Sequence, residues 1–159
     1  MTASRARTVG AAAVLAAALA APAEGLRTVA YRDPVGIPTI CFGATKGVKM
    51  GDVTTVEACK LRLTAEMQEA VEQVDRCQPG LPPKVLAAFA DATYNMGPTI
   101  ACDTGRSTAA RLLASGQHRL ACQQLPRWNK ARVAGAAIAL PGLTKRRQAE
   151  MDLCLEDAA

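Results

Sequence analysis

The stretch EGLRTVAYRDPVGIPTICFG occupies residues 24–43 and is rich in Gly, Pro and Thr. Its Gly and Pro residues are typical of turns. Val35, Ile37 and the run 39–42 have the β-branched and aromatic composition of short strands. The stretch therefore predicts a small β-hairpin region rather than a helix.

Helical patterns follow this stretch toward the C-terminus. Apolar residues recur every three or four positions over residues 54–76, after a Thr54–Glu57 pair that is typical of a capping box. Further helices are predicted at about 83–96, 107–114, 120–125 and 144–156, whereas the small apolar run 131–142 is interpreted as a turn or loop. The predicted fold class is α+β, with a small β-hairpin region and a mainly α-helical bundle.

An uncharged apolar segment, residues 8–23, precedes the hairpin stretch and follows Arg5 and Arg7. This arrangement is typical of an export signal. Ala21-Pro22-Ala23 has the form of a cleavage site, so one interpretation is a cleaved signal peptide. Cleavage there would leave Glu24 as the first residue, and a functional Glu24 would favour an uncleaved segment instead.

Charge and composition restrict the possible partners and cofactors. The 159 residues carry a net charge of +5, which suggests an anionic partner such as nucleic acid, a membrane surface or cell wall. One Trp, two Tyr and two Phe are few for stacking on bases, and charges of both signs are mixed over residues 54–76, so no nucleic-acid partner is expected. His118 is the single histidine, which argues against a catalytic zinc site. No metal or other cofactor is expected, and the chain is predicted to be a monomer.

The six cysteines are spread over the chain, at positions 41, 59, 77, 102, 122 and 154. An even, dispersed set indicates three disulfides in an oxidising compartment, although six reduced core thiols are the alternative. Positions relative to the predicted elements favour the pairs Cys41–Cys59, Cys77–Cys102 and Cys122–Cys154. Other pairings remain open from the sequence alone.

Two carboxylates of the front stretch have different surroundings. Glu24 follows the apolar segment, whereas Asp33 lies between Arg32 and a predicted turn. One protonated and one ionised carboxyl group are what glycoside hydrolysis requires. Two acids at this spacing are also compatible with ordinary surface residues.

The residues around these acids resemble the active-site segment of phage-type lysozymes, glycoside hydrolase family 24. That family has a Glu, an Asp nine residues later and a Thr six after that, which Glu24, Asp33 and Thr39 match. Ala44 departs from the family, in which many members have His. The resemblance covers about residues 24–157 and includes ATYNMG at 92–97, RSTAARLLASG at 106–116, QLPRW at 124–128 and PGLTKRRQAE at 141–150.

The resemblance implies a lysozyme-like fold and an endolysin that cuts the β-1,4 bond between N-acetylmuramic acid and N-acetylglucosamine in peptidoglycan. Glu24 would be the general acid, and Asp33 and Thr39 would position the attacking water. Asn95 and Arg146 match positions that present an amide to the sugar and an arginine to the catalytic Glu. A non-catalytic cell-wall-binding module on the same fold is one alternative, and a basic helical DNA-binding domain is another.

The apolar segment points within this family to the signal-anchor-release subgroup. We expect residues 1–23 to be an uncleaved anchor and residues 24–159 to be the lysozyme catalytic domain. Residues 8–23 would first tether the exported chain to the inner membrane, facing the periplasm. After release, residues 14–23 would form a first helix that brings Glu24 to Asp33.

Overall fold

The computed structural model describes residues 3–33 and 36–159. Its elements alternate between helices and two small antiparallel sheets, as the predicted α+β class requires. In chain order they are α1 Ala3–Glu24, β1 Arg27–Arg32, β2 Pro38–Cys41, α2 Val56–Cys77, α3 Pro83–Met96, α4 Thr99–Cys102, α5 Thr108–Ala114, α6 His118–Cys122, a 3₁₀ turn Leu125–Arg127, β3 Lys130–Val133, β4 Ala136–Ala139 and α7 Pro141–Asp157.

Helix α3 lies at the centre of the helical bundle. Pro83 opens it, where a missing N–H costs nothing, and every residue from 85 to 93 is buried. Helices α1, α2 and α7 pack around it. A helix that is buried on all sides over this length needs such a central position, and α3 therefore organises the core.

Helix α2 begins one residue later than the predicted capping box implies. Thr55, not Thr54, caps it, because the Thr55 side chain accepts a hydrogen bond from the Ala58 N–H at 3.1 Å. The Thr54 N–H instead donates to the Thr28 carbonyl of β1 at 2.9 Å. The residue before the cap thus ties α2 to the front sheet.

Strands β1 and β2 form the predicted front hairpin. They pair antiparallel, with Tyr31 opposite Thr39 and Arg32 opposite Pro38. The motif Tyr31-Arg32-Asp33-Pro34 also predicts a turn, which is wrong for residues 31 and 32 because they belong to β1. Val35, a predicted strand residue, lies outside the described residues.

A second hairpin, β3–β4, spans residues 130–139. It replaces most of the turn or loop that the sequence predicts over residues 131–142. Lys130 pairs with Ala139, and Ala131 pairs with Ile138. The two-residue connection Ala134-Gly135 has φ of 49° and 83°, which is the backbone of a hairpin turn. Ala-Gly is a weak signal for such a turn, and alanine has low strand propensity. The sequence pattern therefore does not predict this hairpin.

Three disulfides link the elements, with the pairing that the sequence favours. Cys41–Cys59 joins β2 to α2, Cys77–Cys102 joins α2 to α4, and Cys122–Cys154 joins α6 to α7. All six cysteines are used.

Helix α1 packs against α2 and α3 and is continuous over 22 residues, longer than the predicted first helix at 14–23. Its buried side chains are small and lie on one face: Val9, Ala12, Ala13, Ala16 and Ala20. Near its start, Arg5 donates from Nε to the Asp75 carboxylate of α2 at 2.7 Å. The helix is also long and apolar enough to cross a membrane, by length and composition.

Candidate active site

Glu24 is the last residue of α1, at the junction between the helical bundle and the front hairpin. Gly25 follows with φ of 67°, a conformation that ends the helix and turns the chain into β1. The Glu24 side chain is 24% exposed and forms an ion pair with Nη1 of Arg146. The fold therefore holds a carboxyl group that is partly sheltered yet reachable from solvent.

Gly43 packs directly against this carboxyl group. A Cβ at Gly43 would stand 3.1 Å from Glu24 Oε2, and its φ of 90° also favours glycine. Gly43 follows β2 closely, so the contact links the end of α1 to the front hairpin.

Arg146 of α7 is 4% exposed and lies between two carboxylates. Its Nε and Nη2 donate to the two oxygens of Asp91 on α3, at 3.0 and 2.7 Å. Burial alone lowers the pKa of the Arg146 guanidinium, but the hydrogen bonds and charges of Asp91 and Glu24 outweigh burial and raise the pKa. Arg146 is therefore a permanent cation beside Glu24.

A second buried pair lies next to this cluster on α7. Arg147 donates to Glu150, and both side chains are fully buried. Burial raises the pKa of Glu150 to about 10 and lowers the pKa of Arg147. The Glu150 carboxyl group is also 3.8 Å from Arg146 Nε, so the two pairs share one patch of α7.

Asp33 and Thr39 meet across the front hairpin through Ile37. The Ile37 N–H donates to Asp33 Oδ1 at 2.8 Å, and the Thr39 hydroxyl donates to the Ile37 carbonyl at 3.0 Å. Thr39 is buried, whereas Asp33 is partly exposed. The structure thus brings Asp33 and Thr39 together on one hairpin, and it joins Glu24 to Arg146.

A cleft of about 540 Å³ lies between the loop that follows β2, at residues 43–46, and the helices α2 and α3. Gly43 belongs to its lining, so the cleft adjoins the Glu24 carboxyl group. Its walls are polar and apolar in about equal parts, and their polar side chains include Lys46, Glu66, Glu69, Gln73, Arg76 and Tyr94. Tyr94 donates its hydroxyl to Glu66 at 3.1 Å, and burial followed by the Glu66 charge raises the pKa of Tyr94.

Asn95 lies near the end of α3, next to cleft residue Tyr94. Its Oδ1 is buried and has no hydrogen-bond partner among the described residues. The same holds for the hydroxyl of Thr93, which lines the cleft. Unpaired buried oxygens are rare, and of the two only Thr93 belongs to the cleft lining, where a ligand N–H or O–H could pair with its hydroxyl.

Sequence reasoning missed Asp91 and Gly43. Asp91 interrupts the apolar run VLAAFADA at 85–92, and a charge inside an otherwise buried helix is a signal that could have identified it. Gly43 was visible only as one of several glycines, because the need for its missing side chain arises from a contact with distant Glu24.

Comparisons with known proteins agree with this architecture. A family model described as phage lysozyme matches residues 21–150. The SAR-endolysin of Pseudomonas phage phiKMV is 40% identical over 151 residues, which cover 92% of this chain and 91% of that protein.

Solved structures are also similar. The muramidase domain of SpmX from Asticaccaulis excentricus superposes with a TM-score of 0.77 at 27% identity, over 88% of this chain and 94% of that domain. The endolysin from Escherichia coli O157:H7 phage FAHEc1 does so with a TM-score of 0.75 at 30% identity, over 98% and 94%. The chain belongs to the phage lysozyme family and groups with its SAR-endolysins.

Proposed function

We propose that this chain is an endolysin that hydrolyses peptidoglycan at the β-1,4 bond between N-acetylmuramic acid and N-acetylglucosamine and so lyses bacteria. Membership of the phage lysozyme family supports a glycosidase. One observation carries the assignment of the site: the Glu24 carboxyl group is fixed between Arg146 and Gly43, and Gly43 lines an open cleft that contains several charged side chains.

Glu24 is the general acid that protonates the leaving oxygen of the sugar. Its partial exposure and its position beside the cleft suit this role. Asp33 and Thr39 position the attacking water from the front hairpin. Their shared link through Ile37 supports a joint role, because it keeps a carboxylate and a hydroxyl at a fixed separation.

Asn95 contributes to substrate binding, whereas Arg146, matched to the same family site, acts on the substrate only through Glu24. The unpaired Asn95 oxygen supports a contact with an N–H or O–H of the sugar. Arg146 acts from behind Glu24, since it is buried and holds that carboxyl group. The net charge of +5 favours approach to an anionic cell wall.

A non-catalytic cell-wall-binding module on this fold remains the alternative. Such a module needs a cleft but does not need Glu24, Asp33 and Thr39 together. Analysis of digestion products decides between the two functions. We expect the full-length chain to release muropeptides from purified peptidoglycan that end in reducing N-acetylmuramic acid. Binding without release, or products that end in reducing N-acetylglucosamine, would contradict the assignment.

Residues 1–23 act as an uncleaved signal anchor, and residues 24–159 form the catalytic domain. In the bilayer, Arg5 and Arg7 stay on the cytoplasmic side, and Glu24 lies at the periplasmic surface. The small buried side chains of α1 support release, because alanine contributes little apolar area to either environment. In the released form, α1 packs on α2 and α3, with Arg5 at Asp75.

N-terminal sequencing of the membrane and periplasmic forms tests this anchor. We expect the same intact N-terminus in both fractions. A periplasmic form that starts at Glu24 or later would contradict it and would favour a cleaved signal peptide.

A further inference from the structure

Asp91 is a buried carboxylate at the candidate site and has no part in the proposed reaction. It is fully buried on α3, and both of its oxygens accept hydrogen bonds from Arg146. The remaining terminal nitrogen of Arg146, Nη1, donates to Glu24. The guanidinium therefore bridges one carboxylate that cannot reach solvent and one that can.

A general acid alternates between a protonated and an ionised form during each cycle. Arg146 is itself buried, and a buried cation without a counter-ion is strongly unfavourable. If Glu24 were the sole partner, protonation of Glu24 would leave Arg146 uncompensated and would therefore be resisted. A second carboxylate on Arg146 removes this obstacle.

We propose that Asp91 is a positioning residue that fixes Arg146 against Glu24 and, through its charge, extends the activity of the enzyme to higher pH. The proposal rests on the proposed role of Glu24 as general acid. Asp91 does not touch the substrate. It supplies a second counter-charge for Arg146, which lets Glu24 carry its proton beside a cation.

Other charged groups surround this cluster on each packed element. Glu150 and Arg147 lie on α7 with Arg146, and Glu150 is 3.8 Å from it. Tyr94 lies on α3 with Asp91, and Glu66 of α2 accepts its hydrogen bond. Among these groups, Asp91 alone makes two hydrogen bonds to Arg146 within the described part of the chain.

Asp91→Asn removes the charge and keeps the shape. The full positive charge of Arg146 then acts on Glu24 and favours its ionised form. We expect the alkaline limb of kcat/KM for hydrolysis of purified peptidoglycan to move to lower pH by about one unit, which is about tenfold in activity at a pH on that limb. Asp75→Asn is the matched control, because Asp75 is also a buried aspartate paired with an arginine, away from the cleft. The alkaline limb of kcat/KM for Asp75→Asn should stay at the pH of the wild type.

A purely structural role predicts a different result. A uniform loss of activity at every pH with an unmoved limb would overturn the proposal, and so would an equal shift in Asp75→Asn. If Asp91→Asn does not fold, Arg146→Gln is compared with the double variant Asp91→Asn/Arg146→Gln, which lacks both buried charges. Equal pH profiles support action through Arg146, and a further change in the double variant overturns it.

Glu24→Gln in the same assay separates this proposal from the proposed function. Full activity of folded Glu24→Gln would remove the general acid assignment itself. An inactive Glu24→Gln together with an unmoved limb in Asp91→Asn would overturn only the role of Asp91.

Discussion

Substitution of Ala12 by Leu should trap the protein in the membrane. Ala12 is fully buried in the packed form of α1, so a leucine there must displace the close-packed core at a cost of about 1–3 kcal/mol. In the bilayer the same leucine is favourable by about 0.5 kcal/mol. The two effects act in the same direction. Together they shift the equilibrium toward the tethered form by about 1.5–3.5 kcal/mol, or roughly 10- to 300-fold.

Ala11→Leu is the matched control at the neighbouring position. Ala11 is exposed in the packed form, so its replacement changes only the smaller bilayer contribution, which is about twofold. The assay is the distribution of the chain between membrane and periplasmic fractions after induction, together with the time of lysis. Equal retention of the two variants would show that hydrophobicity alone sets release and would refute the role of packing. A periplasmic fraction of Ala12→Leu equal to wild type would refute it as well.

Three further predictions follow from named contacts. Gly43→Ala should lower kcat/KM for peptidoglycan well below that of its control, Gly47→Ala. Both glycines have positive φ, so an alanine at either position costs about 1–2 kcal/mol of strain, but only at Gly43 does the added Cβ meet Glu24. Cys77→Ser/Cys102→Ser should lower the free energy of unfolding by about 3 kcal/mol, since the bridge closes a separation of 25 residues; urea denaturation measures this, and an unchanged midpoint would contradict a formed bridge. Arg5→Gln should destabilise the released form by about 1–2 kcal/mol, because it leaves Asp75 buried without that partner. Arg7→Gln, at an exposed position, should have little effect, and equal shifts of the thermal unfolding midpoint in the two variants would argue against the Arg5–Asp75 pair.

The sequence predicts the parts of the fold that depend on local signals. Pro83, Ser107 and Gly97 mark helix ends through local backbone chemistry, and the structure has them at those ends. The β3–β4 hairpin is not predicted from the sequence, because alanine and glycine make up its turn and most of β4, and their local preferences do not indicate strands. The prediction of Thr54 as the cap of α2 is wrong because the hydrogen bond from its N–H to the Thr28 carbonyl is a tertiary contact, which local sequence signals do not show.

The candidate site shows the same division. Glu24, Asp33 and Thr39 are visible because a short segment carries all three at a family spacing. The pairing of Glu24 with Arg146 spans 122 positions and came only from resemblance. A role for Asp91 could not be assigned from the sequence, because that role depends on its contact with the Arg146 guanidinium, 55 positions away on α7.

The most direct test of the account is the lytic activity of Glu24→Gln on outer-membrane-permeabilised cells, with circular dichroism to establish folding. The amide keeps the shape of the side chain but cannot donate a proton as an acid. We predict that the folded variant clears turbidity at a rate reduced by about 10²–10⁴-fold relative to wild type. Near-normal clearing by folded Glu24→Gln would contradict the central claim that Glu24 is the general acid of a peptidoglycan-cleaving glycosidase.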